Sequence, residues 1–133
     1  MKKVLLTLIA VTALLGASCS SGGSSSGGGG SSGAGSGCTA ANATDLTGQT
    51  SFTITIKDFA YHPSCFSAKN GATITIDNQD NVAHTFTVIN TSVNVKVEGG
   101  QSVTQSNANM APATYQFHCM IHPQITGTII VTQ

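Results

Sequence analysis

The sequence contains no tryptophan and no arginine, and charged residues make up only 8% of its 133 positions. Lys2 and Lys3 sit at the very start. Beyond them, Lys57, Lys69 and Lys96 stand against Asp45, Asp58, Asp77, Asp80 and Glu98, so the rest of the chain is mildly acidic. Nucleic-acid binders neutralise phosphates with Lys and Arg, and this composition argues against that class. The longest apolar run, Val4 to Leu15, falls short of the ~20 residues that span a bilayer. No amphipathic helix is evident. The acids are scattered near turns, and no Ser-His-Asp arrangement is visible. An enzyme built on polar catalysis is therefore not expected.

What is present begins with a leader. Lys2 and Lys3, the apolar run and then small residues have the form of a secretory signal over residues 1–18. Leu15-Gly16-Ala17-Ser18-Cys19 resembles the lipobox of bacterial lipoproteins, with Gly16 as the departure. The resemblance implies a lipid on Cys19, and acyl chains tether a protein to a membrane without a protein span. The expected location is outside the cytoplasm, anchored to a membrane and facing the periplasm or cell exterior. Residues 19–37 then form a Ser/Gly tether, which has no apolar surface to bury. Residues 38–133 suffice for one small domain.

In that domain, apolar and polar residues alternate with period two over residues 51–56, 72–77, 84–88, 93–97, 114–119 and 127–131, and more weakly over 101–106. This is the strand period, and Thr, Val and Ile dominate it. Turn residues separate the runs at Lys69-Asn70-Gly71, Asp77 to Asn81, Glu98-Gly99-Gly100 and Ala111-Pro112-Ala113. The expected fold is all-β: a Greek-key sandwich or barrel of about seven or eight strands.

Chemistry concentrates near the C-terminus. Cys119 ends one strand run and His122 follows on the connection to the next, so a thiolate and an imidazole can converge on one ion. His84 opens a strand after the polar turn 77–82 and offers a third donor. Two imidazoles and one thiolate suit copper, with a weak axial donor. His118, next to Cys119 on a strand, points to the opposite face. His62 reads as structural, and Phe52, Phe59, Phe86, Tyr115 and Phe117 read as core. Cys38 and Cys65 remain: a disulfide, two buried thiols, or a second metal site with His62.

Residues 52–133 resemble the plastocyanin, pseudoazurin and amicyanin branch of the cupredoxins. The resemblance is carried by Asp58-Phe59-Ala60-Tyr61-His62-Pro63, Asn78 to Thr85, Ala113 to Cys119, His122-Pro123 and Thr126-Gly127-Thr128. It implies a type 1 copper centre on His84, Cys119 and His122. Ile125 stands where the family's axial Met is expected. An Ile125 cap without a donor, the Gln124 side chain and the Ala83 carbonyl are the alternatives. The implied function is single-electron transfer by a monomer between exported or membrane-associated redox partners that dock near His122. Copper delivery or storage is the second reading, ranked lower because Met110 and Met120 are the only methionines beyond the leader. A copper enzyme ranks third, because His62 and His118 are too few for a second copper.

Overall fold

The β-branched alternating segments form strands whose inward residues meet across two sheets. The computed structural model describes residues 37–133. The expected leader, the expected lipidation site Cys19 and all but the last residue of the expected tether lie outside the described residues.

Ten strands are present: β1 (Thr44–Asp45), β2 (Ser51–Lys57), β3 (Ala60–His62), β4 (Cys65–Lys69), β5 (Thr73–Asn78), β6 (His84–Val88), β7 (Asn94–Val97), β8 (Ser102–Ser106), β9 (Ala113–His118) and β10 (Thr126–Thr132). One sheet has the order β1-β4-β10-β9-β6-β7 and the other β3-β2-β5-β8. β4 and β10 run parallel, as do β2 and β5, while β9 pairs antiparallel with both β10 and β6. The fold is all-β, with more strands than the alternation indicates. β1 and β3 are too short to show a period, and β4 (Cys-Phe-Ser-Ala-Lys) lacks β-branched residues.

The core lies between the sheets. Phe52, Ile54 and Ile56 from β2 and Ile74 and Ile76 from β5 meet Phe66, Phe86, Val88, Phe117, Ile129 and Val131 from the facing sheet. Each such side chain contributes ~1.5–3 kcal/mol on full burial. Tyr61, Phe86 and Phe117 pack at centroid distances of 4.8 to 5.9 Å beneath the end of the sandwich that carries the histidines. Cys38 and Cys65 are joined by a disulfide that ties the start of the domain to β4. That linkage removes the readings of two free thiols and of a second metal site with His62, which is itself exposed.

Candidate metal centre

His84 is delivered by the loop between β5 and β6. Asn78, at the end of β5, is buried, and its amide Nδ2 faces the carbonyls of Val82, Val97 and Glu98 at 2.8, 3.1 and 3.1 Å. Its Oδ1 accepts the Asp80 N–H at 3.1 Å. A carboxylate there would have no hydrogen to offer these carbonyls. The loop lies directly on the β7–β8 turn: a Cβ on Gly99 would sit 2.5 Å from the Asn81 carbonyl carbon and 2.9 Å from the Val82 nitrogen. Glycine is needed at that position for the approach itself.

Cys119 and His122 come from the β9–β10 connection. The Cys119 N–H donates to the Ile125 carbonyl at 3.0 Å, and the Ile125 N–H donates to the His122 carbonyl at 2.9 Å. These bonds close the seven residues 119–125 into a tight loop before β10 begins. At the end of β9, Phe117 is buried and His118 only half-buried, and Cys119, the next residue, is buried again, so the strand period continues through it.

The three donors meet. His84 Nδ1 lies 3.7 Å from Cys119 Sγ, His122 Nδ1 lies 3.9 Å from the same sulfur, and the two Nδ1 atoms are 3.2 Å apart. His84 and Cys119 are both 0% exposed, while His122 is half-buried. Among the described residues, this is the group of His, Cys and acidic side chains arranged to hold a metal, with all donor atoms within 4.8 Å. Bond lengths of about 2.0–2.1 Å to nitrogen and about 2.3 Å to sulfur in a trigonal plane place donors roughly 3.5 Å (N···N) and 3.8 Å (N···S) apart. The observed separations fit a small cation at the centre. The chemistry agrees: three lone-pair donors crowded in a buried pocket repel unless a proton or a metal lies between them.

Thr85 contacts the sulfur directly and is itself tied to the site loop and to the other sheet. Its N–H donates to Cys119 Sγ at 3.3 Å, its Oγ1 accepts the Met120 N–H at 2.8 Å, and its carbonyl accepts the buried Tyr61 hydroxyl at 2.5 Å. Burial, and secondarily the neighbouring Cys119, push the Tyr61 phenol well above its usual range, so it remains a donor. On the far side of His84, Nε2 meets the Asp80 carboxylate at 2.9 Å. Burial raises that carboxyl, but the Phe59 and Asp58 amides and His84 outweigh it and hold it below the ordinary 3.8.

Phe59 is not a core residue. It is 48% exposed, on the two-residue turn between β2 and β3, and its ring stands perpendicular to both His84 and His122 at centroid distances of 5.4 and 5.1 Å. The expectation of burial fails because Phe59 occupies a turn position that faces the site instead of the sandwich interior. Met120 at 57% and Ile121 at 46% exposure, together with Val82, add apolar surface on the two site loops. Of the axial alternatives, Ile125 is buried, Ala83 is half-buried, and Gln124 is exposed on a cleft of about 520 Å³ shared with Phe59, Tyr61 and His62. The roles of Thr85, Asp80 and Tyr61 were not read from the sequence. They depend on contacts across 21 to 35 residues, and within the local sequence Asp80 carries only the weak signal of an acid four residues before a histidine.

By sequence alone, none of the curated proteins matches the chain. Solved structures of amicyanin variants do match it by fold. A proline-to-glycine variant in its reduced Cu(I) form at pH 4 gives a TM-score of 0.53 at 20% identity, covering 62% of this chain and 82% of that one. A methionine-to-alanine variant in its Cu(I) form gives 0.53 at 21%, covering 63% and 84%. A further variant in its reduced state gives 0.51 at 19%, covering 71% and 86%. The family described as the cupredoxin-like domain matches residues 34–131, which include both sheets and both loops of the donor cluster. The chain belongs to the cupredoxin-like domain family.

Proposed function

We propose that this protein holds one copper ion through His84, Cys119 and His122 and carries single electrons between redox partners. The observation that supports this most directly is the donor cluster itself: two imidazoles and one thiolate, already at trigonal spacing in a largely buried pocket. Bound copper supplies a one-electron couple between Cu(I) and Cu(II), and a His2Cys set with a weak axial neighbour is the arrangement copper favours for that task.

The chain's own part is to keep the donors still. Thr85 fixes the sulfur, Asp80 fixes the outer nitrogen of His84, and the 119–125 loop fixes His122. A frame held by hydrogen bonds before metal enters presents nearly the same geometry to both oxidation states. Ile125, buried on the same loop, is proposed as the apolar cap in the axial direction. His122 alone among the three donors is partly exposed, and Phe59, Met120 and Ile121 expose apolar surface beside it. A redox partner docking there would bring its own centre close to the imidazole edge. Export under the 1–18 leader, a lipid on Cys19 and the Ser/Gly tether complete the proposal: a carrier moving within reach of a membrane. Copper delivery is less well served, since donors braced by buried hydrogen bonds resist the ligand exchange that release requires.

The test is to load the purified protein with Cu(II), then record its visible spectrum and its voltammogram. An intense thiolate-to-Cu(II) band and a reversible one-electron wave are expected. Binding of Cu(I) alone with irreversible cycling would assign the protein to copper delivery. Failure to bind copper would end the proposal.

A further inference from the structure

The Asp58–Phe59 turn is unusual in its residues. It joins β2 to β3 with Lys57 opposite Ala60, so only two residues make the reversal. Both have left-handed backbones, with φ of 53° at Asp58 and 58° at Phe59. A turn of this kind strongly favours Asn-Gly or Asp-Gly, and an aromatic residue in that conformation is disfavoured. Something outside the hairpin must hold it.

The Asp80 carboxylate, from 22 residues away, does so. Its Oδ1 accepts the Asp58 N–H at 2.7 Å and its Oδ2 accepts the Phe59 N–H at 3.1 Å. The same Oδ2 lies 2.9 Å from Nε2 of the fully buried His84. Asp80 is itself held by its backbone: its N–H donates to Asn78 Oδ1 at 3.1 Å, and its carbonyl accepts the Gly100 N–H at 3.0 Å. One carboxylate thus faces three donors, two from the β2–β3 turn and one from the start of β6. Phe59 closes the circuit, because its ring stands edge-on to the imidazole that Asp80 also holds.

We propose that Asp80 is a positioning residue that fixes the tautomer of His84 and the Phe59-bearing turn as one unit. An ionised carboxylate only accepts, so Nε2 of His84 carries the hydrogen and Nδ1 keeps its lone pair directed at the cluster. The two amide bonds offset the disfavoured turn conformation and seat the Phe59 ring against both imidazoles. Charge-assisted bonds are the stronger kind, and an exposed two-residue turn has little else to order it. The consequence for metal binding rests on the copper reading, but the positioning role does not.

The test therefore uses the metal-free full chain. Nitrogen-15 NMR of the imidazoles reads the His84 tautomer, and hydrogen exchange reads the Asp58 and Phe59 amides. In the parent protein His84 should be protonated at Nε2, and both amides should be protected. Asp80→Ala should release the tautomer preference and speed exchange of both amides roughly tenfold or more. Asp80→Asn keeps the shape but replaces one acceptor oxygen with a donor. It should expose one of the two turn amides, and where the new NH2 faces His84 it should also switch that ring to the Nδ1–H form. Phe59→Ala should leave the tautomer in place. If Asp80→Asn folds with an unchanged tautomer and unchanged protection of both amides, the proposal is overturned. In copper-loaded protein, Asp80→Asn should raise the reduction potential, because a neutral partner makes His84 a weaker donor to Cu(II). Absence of copper binding in the parent would refute the functional reading and leave the NMR result standing.

Discussion

Replacing Tyr61 with Phe isolates one hydrogen bond between the sheets. Tyr61 is 2% exposed on β3, and its hydroxyl donates to the Thr85 carbonyl on β6 of the other sheet. Its ring packs edge-on with Phe117 and Phe86 at 4.9 and 5.9 Å, contacts that a Phe ring retains. The substitution therefore deletes a donor and leaves the packing. A net hydrogen bond is worth ~0.5–1.5 kcal/mol, and a buried acceptor left without its partner costs ~1–3 kcal/mol. The expected loss is about 1–2 kcal/mol, which lowers Tm by roughly 4–8 °C per kcal/mol in a domain of this size. Urea and thermal unfolding of the metal-free protein measure it, with the m-value checking that unfolding remains two-state. Thr85 also gives its N–H to Cys119 Sγ, so the loosened carbonyl should broaden the amide resonances of Thr85 and Met120. A Tyr61→Phe protein as stable as the parent would refute the idea that this bond supports the site.

Gly99→Ala should destabilise the protein by ~1–3 kcal/mol, the range for forced overpacking, because its new Cβ meets the Asn81–Val82 backbone; the readout is the urea midpoint. Removing the disulfide with Cys38→Ser and Cys65→Ser frees a loop with a sequence separation of 27, and chain entropy sets the expected loss at about 3–4 kcal/mol, checked by the same unfolding curves. The Asp77 carboxyl is held below 3.8 by the Ser102 hydroxyl and then by the Gln79 amide, against a small opposing effect of burial. The folded state thus binds fewer protons than the unfolded state at acid pH. The stabilisation from Asp77 is complete above 3.8 and is lost as pH falls through the lowered folded value. Asp77→Asn should flatten that acid limb in a plot of unfolding midpoint against pH, and an unaltered slope would contradict it.

The strands that could be read from the sequence are those where β-branched residues alternate over five or more positions, as in Ser51-Phe52-Thr53-Ile54-Thr55-Ile56. Period two is a direct image of a half-buried sheet. β4 carries the same alternation in Phe66 and Ala68 but without the residue types that mark a strand, and β1 pairs over only two residues. The donor set was legible because Cys119 and His122 are close in sequence and His84 follows a polar turn. The supporting shell was not. Asp80 sits in a stretch that looks like any solvent-facing turn, and only the folded chain brings its carboxylate under the Asp58–Phe59 hairpin. Phe59 misleads for a related reason: hydrophobicity implies burial, yet a two-residue turn without glycine gives no local sign that its aromatic ring faces the site.

The most direct test of the central claim is copper-edge X-ray absorption on the copper-loaded full chain, compared with Cys119→Ser and His84→Ala. The parent should show one short copper–sulfur distance and two imidazole nitrogens. The sulfur should vanish in Cys119→Ser, and one imidazole should vanish in His84→Ala. Copper bound in the parent by nitrogen and oxygen alone, or a spectrum indifferent to His84, would contradict the claim that the sandwich gathers these three side chains around one ion.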